Sequence, residues 1–206
     1  MGRSTFEDKM PMAKPKADGI PEGLAQMFSM ASDDSSRIIS LYGDVSEQIM
    51  QQIVMQVIAF AETSNAPINM ILSTYGGSVD EMFSLYDLIK YIAAPVHTIG
   101  MGKVMSAGTL LLAAGEKGKR LIGRSARVMI HPVAGGAEGD IFDVENNVKE
   151  MRRLQDLMVG FLSDETKMSR KQVEGIMTKG TEHYLTADEA VELGIADKVM
   201  SPRQSM

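Results

Sequence analysis

Apolar and polar positions from Arg37 onward follow two alternating periods. Ile38–Tyr42 is a short apolar run closed by Gly43, the pattern of a buried strand. Ser46 stands where it can cap a helix whose apolar residues fall at Ile49, Ile53, Val57 and Phe60. Pro67 precedes a second strand, Ile68–Leu72. After Gly76-Gly77, Ser78 and Glu81 have capping-box spacing for a helix carrying Met82, Leu85, Ile89 and Ile92, ended by Pro95. Val96–Met101 reads as a third strand, Met105–Ala114 as a short, wholly apolar helix stopped at Gly115, and Arg127–His131 as a fourth strand. The longest helix is expected from about Phe142 to Ser163, with the stripe Val144, Val148, Met151, Leu154, Met158 and Phe161. Ser169 with Gln172 and Thr186 with Glu189 open two later helices, and Gly194 ends the last. Strands alternating with helices predict an α/β fold with parallel pairing and right-handed crossovers. Residues 1–36 differ. Pro11, Pro15, Gly19, Pro21 and Gly23 break every period except a short amphipathic piece at Leu24–Met30, so a mobile amino-terminal arm is expected there.

Composition narrows the function. The 206 residues suffice for one sizeable core, and 44% apolar with 23% charged residues is an ordinary globular balance. A net charge of −6 with no basic block argues against nucleic acid or an anionic membrane as partner. Without cysteine there is neither a disulfide nor a thiolate nucleophile or ligand, and the three histidines, His97, His131 and His183, include no close pair for zinc. No metal or cofactor is expected. No apolar run has membrane-spanning length and no signal-peptide pattern opens the chain, so the expectation is a soluble, cytoplasmic protein. The 18 methionines read first as soft core filling, and second as adaptable surface at subunit contacts.

Candidate chemistry collects at strand ends, where open α/β folds place their sites. Three segments share that position: Tyr75-Gly76-Gly77-Ser78, Gly102 through Gly108, and His131-Pro132. Ser106 lies at the mouth of an apolar helix beside the small Ala107 and Gly108. The Ala107 N–H, like other early helix amides, lacks an intrahelical partner. Gly77 can supply a second N–H, and two such donors aimed at one point form an oxyanion hole. A serine nucleophile needs a base, which His131 can be, and a third group to orient the imidazole. Each piece also has a plain structural reading: Ser106 as a helix cap, His131 as a strand end, Gly76-Gly77 as a tight turn. Residue types and spacing alone reach an α/β domain with a possible acyl-transfer site.

The same segments resemble the proteolytic-subunit (ClpP) family of Clp proteases. Ser73-Thr74-Tyr75-Gly76-Gly77-Ser78-Val79 resembles its oxyanion turn, and Gly102–Gly115 its nucleophile helix, followed by Gly118-Lys119-Arg120. Arg127–His131 with Gly135-Gly136 and Gly139 resembles its histidine strand and glycine-rich extension. Leu185–Ala190 with Gly194 and Asp197 resembles its carboxy-terminal signature. The likeness covers about 37–200, leaving 201–206 as a tail. It implies a ClpP/crotonase-like spiral of repeated β-β-α units with a protruding handle, here about 134–163. It further implies an ATP-independent serine endopeptidase, with Ser106 as nucleophile, His131 as base and the Gly77 and Ala107 amides as oxyanion hole. Peptide or unfolded-protein substrates, two stacked heptameric rings and an AAA+ unfoldase partner follow from the same likeness.

Four features depart from the family pattern. Glu182 stands where the family usually has the triad aspartate, in a loop about two residues longer. Tyr75 replaces a usual proline. Asn69 and Ile71 occupy strand positions usually aromatic and used for docking the ATPase. The amino-terminal arm lacks the usual axial-pore segment. Competing readings are a crotonase-type coenzyme A enzyme, a Ser–Lys dyad with Lys103 or Lys119 as base, a catalytically impaired scaffold subunit, and a self-sufficient phage-type protease needing no ATPase.

Overall fold

The computed structural model describes residues 37–178 and 180–201. The expected arm over 1–36 and nearly all of the tail lie outside them. The described residues form seven strands and six helices, in the order β1 (Ile38–Tyr42), α1 (Glu47–Thr63), β2 (Ile68–Thr74), α2 (Val79–Tyr91), β3 (Val96–Met105), α3 (Ala107–Ala113), β4 (Leu121–Ile122), β5 (Arg127–Ile130), α4 (Ile141–Glu165), α5 (Arg170–Met177), β6 (His183–Leu185), α6 (Ala187–Glu192) and β7 (Lys198–Val199). The mixed α/β class expected from the sequence is the one observed. The strands run β1-β2-β3-β4-β7, and β3 also pairs with β5, which pairs with β6. All named pairs are parallel except β5–β6, which is antiparallel.

β3 is the organising strand. It was expected to stop at Met101 and the next helix to start at Met105. Instead β3 runs through to Met105 and α3 begins at Ala107. Gly102, at φ +61, absorbs an irregularity after which the strand changes partner. Ile99 and Gly100 pair with β4, whereas Lys103, Val104 and Met105 pair with Arg127, Val128 and Met129 of β5. A glycine tolerates that left-handed turn without a Cβ penalty. The fork delivers Ser106 and His131 to one place.

α3 is buried along its whole length, with Leu110, Leu111 and Leu112 fully inaccessible. Burial of such side chains contributes roughly 1.5–3 kcal/mol each. Met50, Met70, Met82 and Met177 are also in the core, in line with the gap-filling reading of methionine. Buried charge locks the elements together. Arg120 grips Asp197 through Nε (3.0 Å) and Nη2 (2.6 Å), and donates from Nη1 to the carbonyls of Ala113 and Glu165. Glu165, at the end of α4, accepts from Lys90 (2.6 Å), Lys117 (2.9 Å) and the Tyr86 hydroxyl (3.0 Å). Burial acts to raise the Glu165 carboxyl, but the two lysines outweigh it and hold it below its ordinary value.

Several local expectations need correction. Ser46 is the N-cap of α1 but makes no side-chain cap. Ser78 accepts from the Glu81 N–H without the reciprocal half of the box. Both later capping boxes form in full. β5 ends at Ile130, one residue before the expected end at His131, and 131–138 has no regular structure. α4 starts at Ile141, capped by Asp140, and runs to Glu165. Its first half stands clear of the core, leaving Ile141 63% and Phe142 70% exposed.

Candidate active site

Ser106 sits at the junction of β3 and α3 in a conformation that non-glycine residues avoid, φ 54 and ψ −121. Such backbone costs on the order of 1–3 kcal/mol and persists only where the surroundings impose it. Here they do. The Ser106 N–H donates to the Met129 carbonyl at 2.8 Å, and the same carbonyl accepts from the Thr109 hydroxyl at 3.0 Å. The turn that carries Ser106 is thereby pinned to β5 two residues before His131. The Ser106 Oγ lies 2.7 Å from His131 Nε2, both side chains half-buried.

The turn after β2 closes on the same point. A Cβ on Gly76 would lie 2.6 Å from Ser106 Cβ, so only glycine fits at its φ of +103. The Gly76 N–H is held by Thr74 Oγ1 at 2.9 Å. Gly77 backs onto Val45. Val45 donates to the Gly76 carbonyl and accepts from the Ser78 N–H, each at 2.8 Å. That bridge leaves the Gly77 N–H facing the other way, and Gly77 lines the cleft. Neither the Gly77 nor the Ala107 N–H has a hydrogen-bond partner among the described residues. Both were expected as oxyanion donors, and both stand beside Ser106.

The cleft holds about 240 Å³. Ser106, Ala107, Gly77 and His131 line it with Tyr75, Val79, Met82, Met158 and Met177, so its walls are apolar around a few polar groups. Tyr75 lies on the rim, with the Lys103 ammonium 4.9 Å from its ring centre. Lys103 also meets Ser73 Oγ at 3.5 Å, not Ser106, and Lys119 is exposed beyond α3.

Glu182 is placed by β6. Val128, Met129 and Ile130 pair with Leu185, Tyr184 and His183, and the ladder ends there, so Glu182 lies one residue before β6 and His131 one residue after β5, at the same end of the pair. The Glu182 carboxylate is exposed and accepts from the Tyr184 hydroxyl at 2.6 Å. That bond raises the Tyr184 phenol above its ordinary value. No hydrogen bond to His131 Nδ1 forms among the described residues. Sequence reasoning missed Val45, the Met129 carbonyl and the Tyr184 hydroxyl. The first two act through backbone and leave no residue-type signal. The tyrosine could have been found as the one neighbour of Glu182 on its own strand face.

The Clp protease family model, described as Clp protease, matches residues 22–203. The chain belongs to the Clp protease family. Among the described residues, no helix is long and apolar enough to cross a membrane, and no group of three His, Cys, Asp or Glu side chains could hold a metal ion.

Proposed function

We propose that the protein is a serine endopeptidase that cleaves peptides or unfolded chains without using ATP itself. The observation that carries this is the 2.7 Å contact between Ser106 Oγ and His131 Nε2 in an apolar cleft beside two unpartnered amides. Ser106 Oγ attacks the scissile carbonyl carbon as its proton passes to His131 Nε2. The oxygen of the tetrahedral intermediate takes hydrogen bonds from the Gly77 and Ala107 N–H groups. His131 then protonates the departing amine. Water, deprotonated by the same imidazole, attacks the acyl-enzyme and releases the second product, restoring the Ser106 hydroxyl. Glu182 is the carboxylate assigned to the Nδ1 side of the imidazole, from its place just before β6, at the end of the β5–β6 pair next to His131.

This arrangement favours hydrolysis over the crotonase reading, in which two amides hold an enolate and no Ser–His contact is required. It also favours His131 over Lys103 or Lys119 as base. A ring assembly is part of the proposal. The first half of α4 leaves Ile141, Phe142 and Val148 exposed, and such a surface calls for other copies to cover it. The expected form is two stacked heptameric rings enclosing the clefts, in the cytoplasm, fed by an AAA+ unfoldase. A self-sufficient protease is the second reading. It is favoured by Asn69, which stands between Ile38 and His97 on the strand face where the family docks its ATPase through aromatic residues.

Turnover of short fluorogenic peptides with apolar residues, without nucleotide, tests the proposal. Wild type should cleave them, and Ser106→Ala and His131→Ala should each lose nearly all turnover. Cleavage surviving in Ser106→Ala would overturn the assignment. Native mass spectrometry showing a fully active monomer would overturn the ring.

A further inference from the structure

Glutamate in place of aspartate adds one rotatable bond between the backbone and the carboxylate. An untethered chain of that length spreads over more rotamers and spends less time against the imidazole. The Tyr184 hydroxyl removes that freedom. It donates to Glu182 Oε2 at 2.6 Å. Tyr184 is itself fixed in β6, paired with Met129 of β5, two residues before His131. A carboxylate has two oxygens, so holding Oε2 leaves Oε1 to accept from His131 Nδ1–H.

We propose that Tyr184 is the positioning residue that fits a glutamate to this catalytic triad. The inference rests on Glu182 being the triad carboxylate. The phenol touches neither substrate nor Ser106, and acts only through Glu182. Other charged or titratable groups on this side are Arg127 on β5, Lys103 beside it on β3, and Tyr75 on the rim. Arg127 opposes the rise in the Tyr184 phenol that Glu182 causes, so it lies close enough to be felt there. None of the three forms an ion pair with Glu182 among the described residues.

The test is a double-mutant cycle on the assembled enzyme, using kcat, KM and the pH profile of a fluorogenic peptide. Tyr184→Phe should lower kcat by roughly tenfold and leave KM in place, less than the ~10²-fold that 1 Å of misplacement can cost. The acid limb of kcat should move to lower pH, because His131 loses part of the charge that favours its protonated form. In a Glu182→Gln background, Tyr184→Phe should change neither quantity. An unchanged or raised kcat in Tyr184→Phe overturns the inference, as does a loss that persists in the Glu182→Gln background. If Glu182→Gln alone leaves turnover and the acid limb unchanged, the assignment of Glu182 fails first, and the inference with it.

Discussion

Replacing Gly77 by alanine should damage turnover more than it damages the fold. The added Cβ would lie 2.3 Å from the Val45 carbonyl oxygen and 2.9 Å from its carbon and from Val45 N. Relief to an ordinary contact requires a retreat of about 1 Å. Val45 cannot easily yield, because its N–H and carbonyl are both engaged with the flanks of the turn, at Gly76 and Ser78. The shift therefore falls on Gly77, away from Val45 and into the cleft, which carries its N–H about 1 Å out of the position that serves an oxyanion. Loss of one such donor costs roughly 10²–10³ in kcat, about 2.7–4 kcal/mol of transition-state stabilisation. The φ of +149 adds a backbone penalty of about 1–3 kcal/mol to stability. Gly118→Ala is the control: its φ is +86 and nothing lies within 4 Å of the added carbon, so it carries the backbone penalty alone. Peptide turnover and thermal melts of both variants separate the two effects. Gly77→Ala turnover within about threefold of wild type would refute the reasoning, since a displaced donor cannot cost so little.

Gly108→Ala should destabilise because its Cβ would meet Thr74 Cγ2 at 2.6 Å. Thr74→Ser removes that methyl while keeping the Oγ that holds the Gly76 N–H, so in melts the double variant should recover most of the loss. Equal melting of the single and double variants would contradict the contact. Asp197 should make stability pH-dependent at the acid end. Burial acts to raise its carboxyl, but Arg120 and the Gly118 and Arg120 amides outweigh this and pull it down to about 2. A depressed carboxyl stabilises the fold above its unfolded value, near 4, and that stability, about 2 kcal/mol, is lost as pH falls toward 2. The gap in urea stability between wild type and Asp197→Asn should thus be full at pH 6 and narrow below pH 4; a gap independent of pH would contradict the ion pair.

The sequence made the hydrophobic skeleton legible because its periods were unambiguous. β1 matches its predicted span, and α1, α2, α4, α5 and α6 fall where their apolar spacing and capping residues put them. The misreadings cluster where the chain bends for the site. Met105 looks helical beside Ala107–Ala114, yet the strand continues through it because β5 supplies new partners beyond Gly102. β4, β6 and β7 span only two or three residues, too few for a period to show. The antiparallel β5–β6 pair escaped for the same reason, and with it the fact that Glu182 and His131 flank the same end of that pair. Ser106, His131 and the glycine turn were legible as residues. Their convergence was not, since it depends on backbone hydrogen bonds from Met129 and Val45 that any side chain could flank.

Mapping of a fluorophosphonate adduct tests the central claim most directly. Wild-type protein treated with the probe should gain the mass of one adduct per chain, carried by the peptide containing Ser106. Ser106→Ala should remain unmodified, and His131→Ala should react far more slowly because the hydroxyl has lost its base. An adduct on another residue, or equal labelling of the Ser106→Ala chain, would contradict the account.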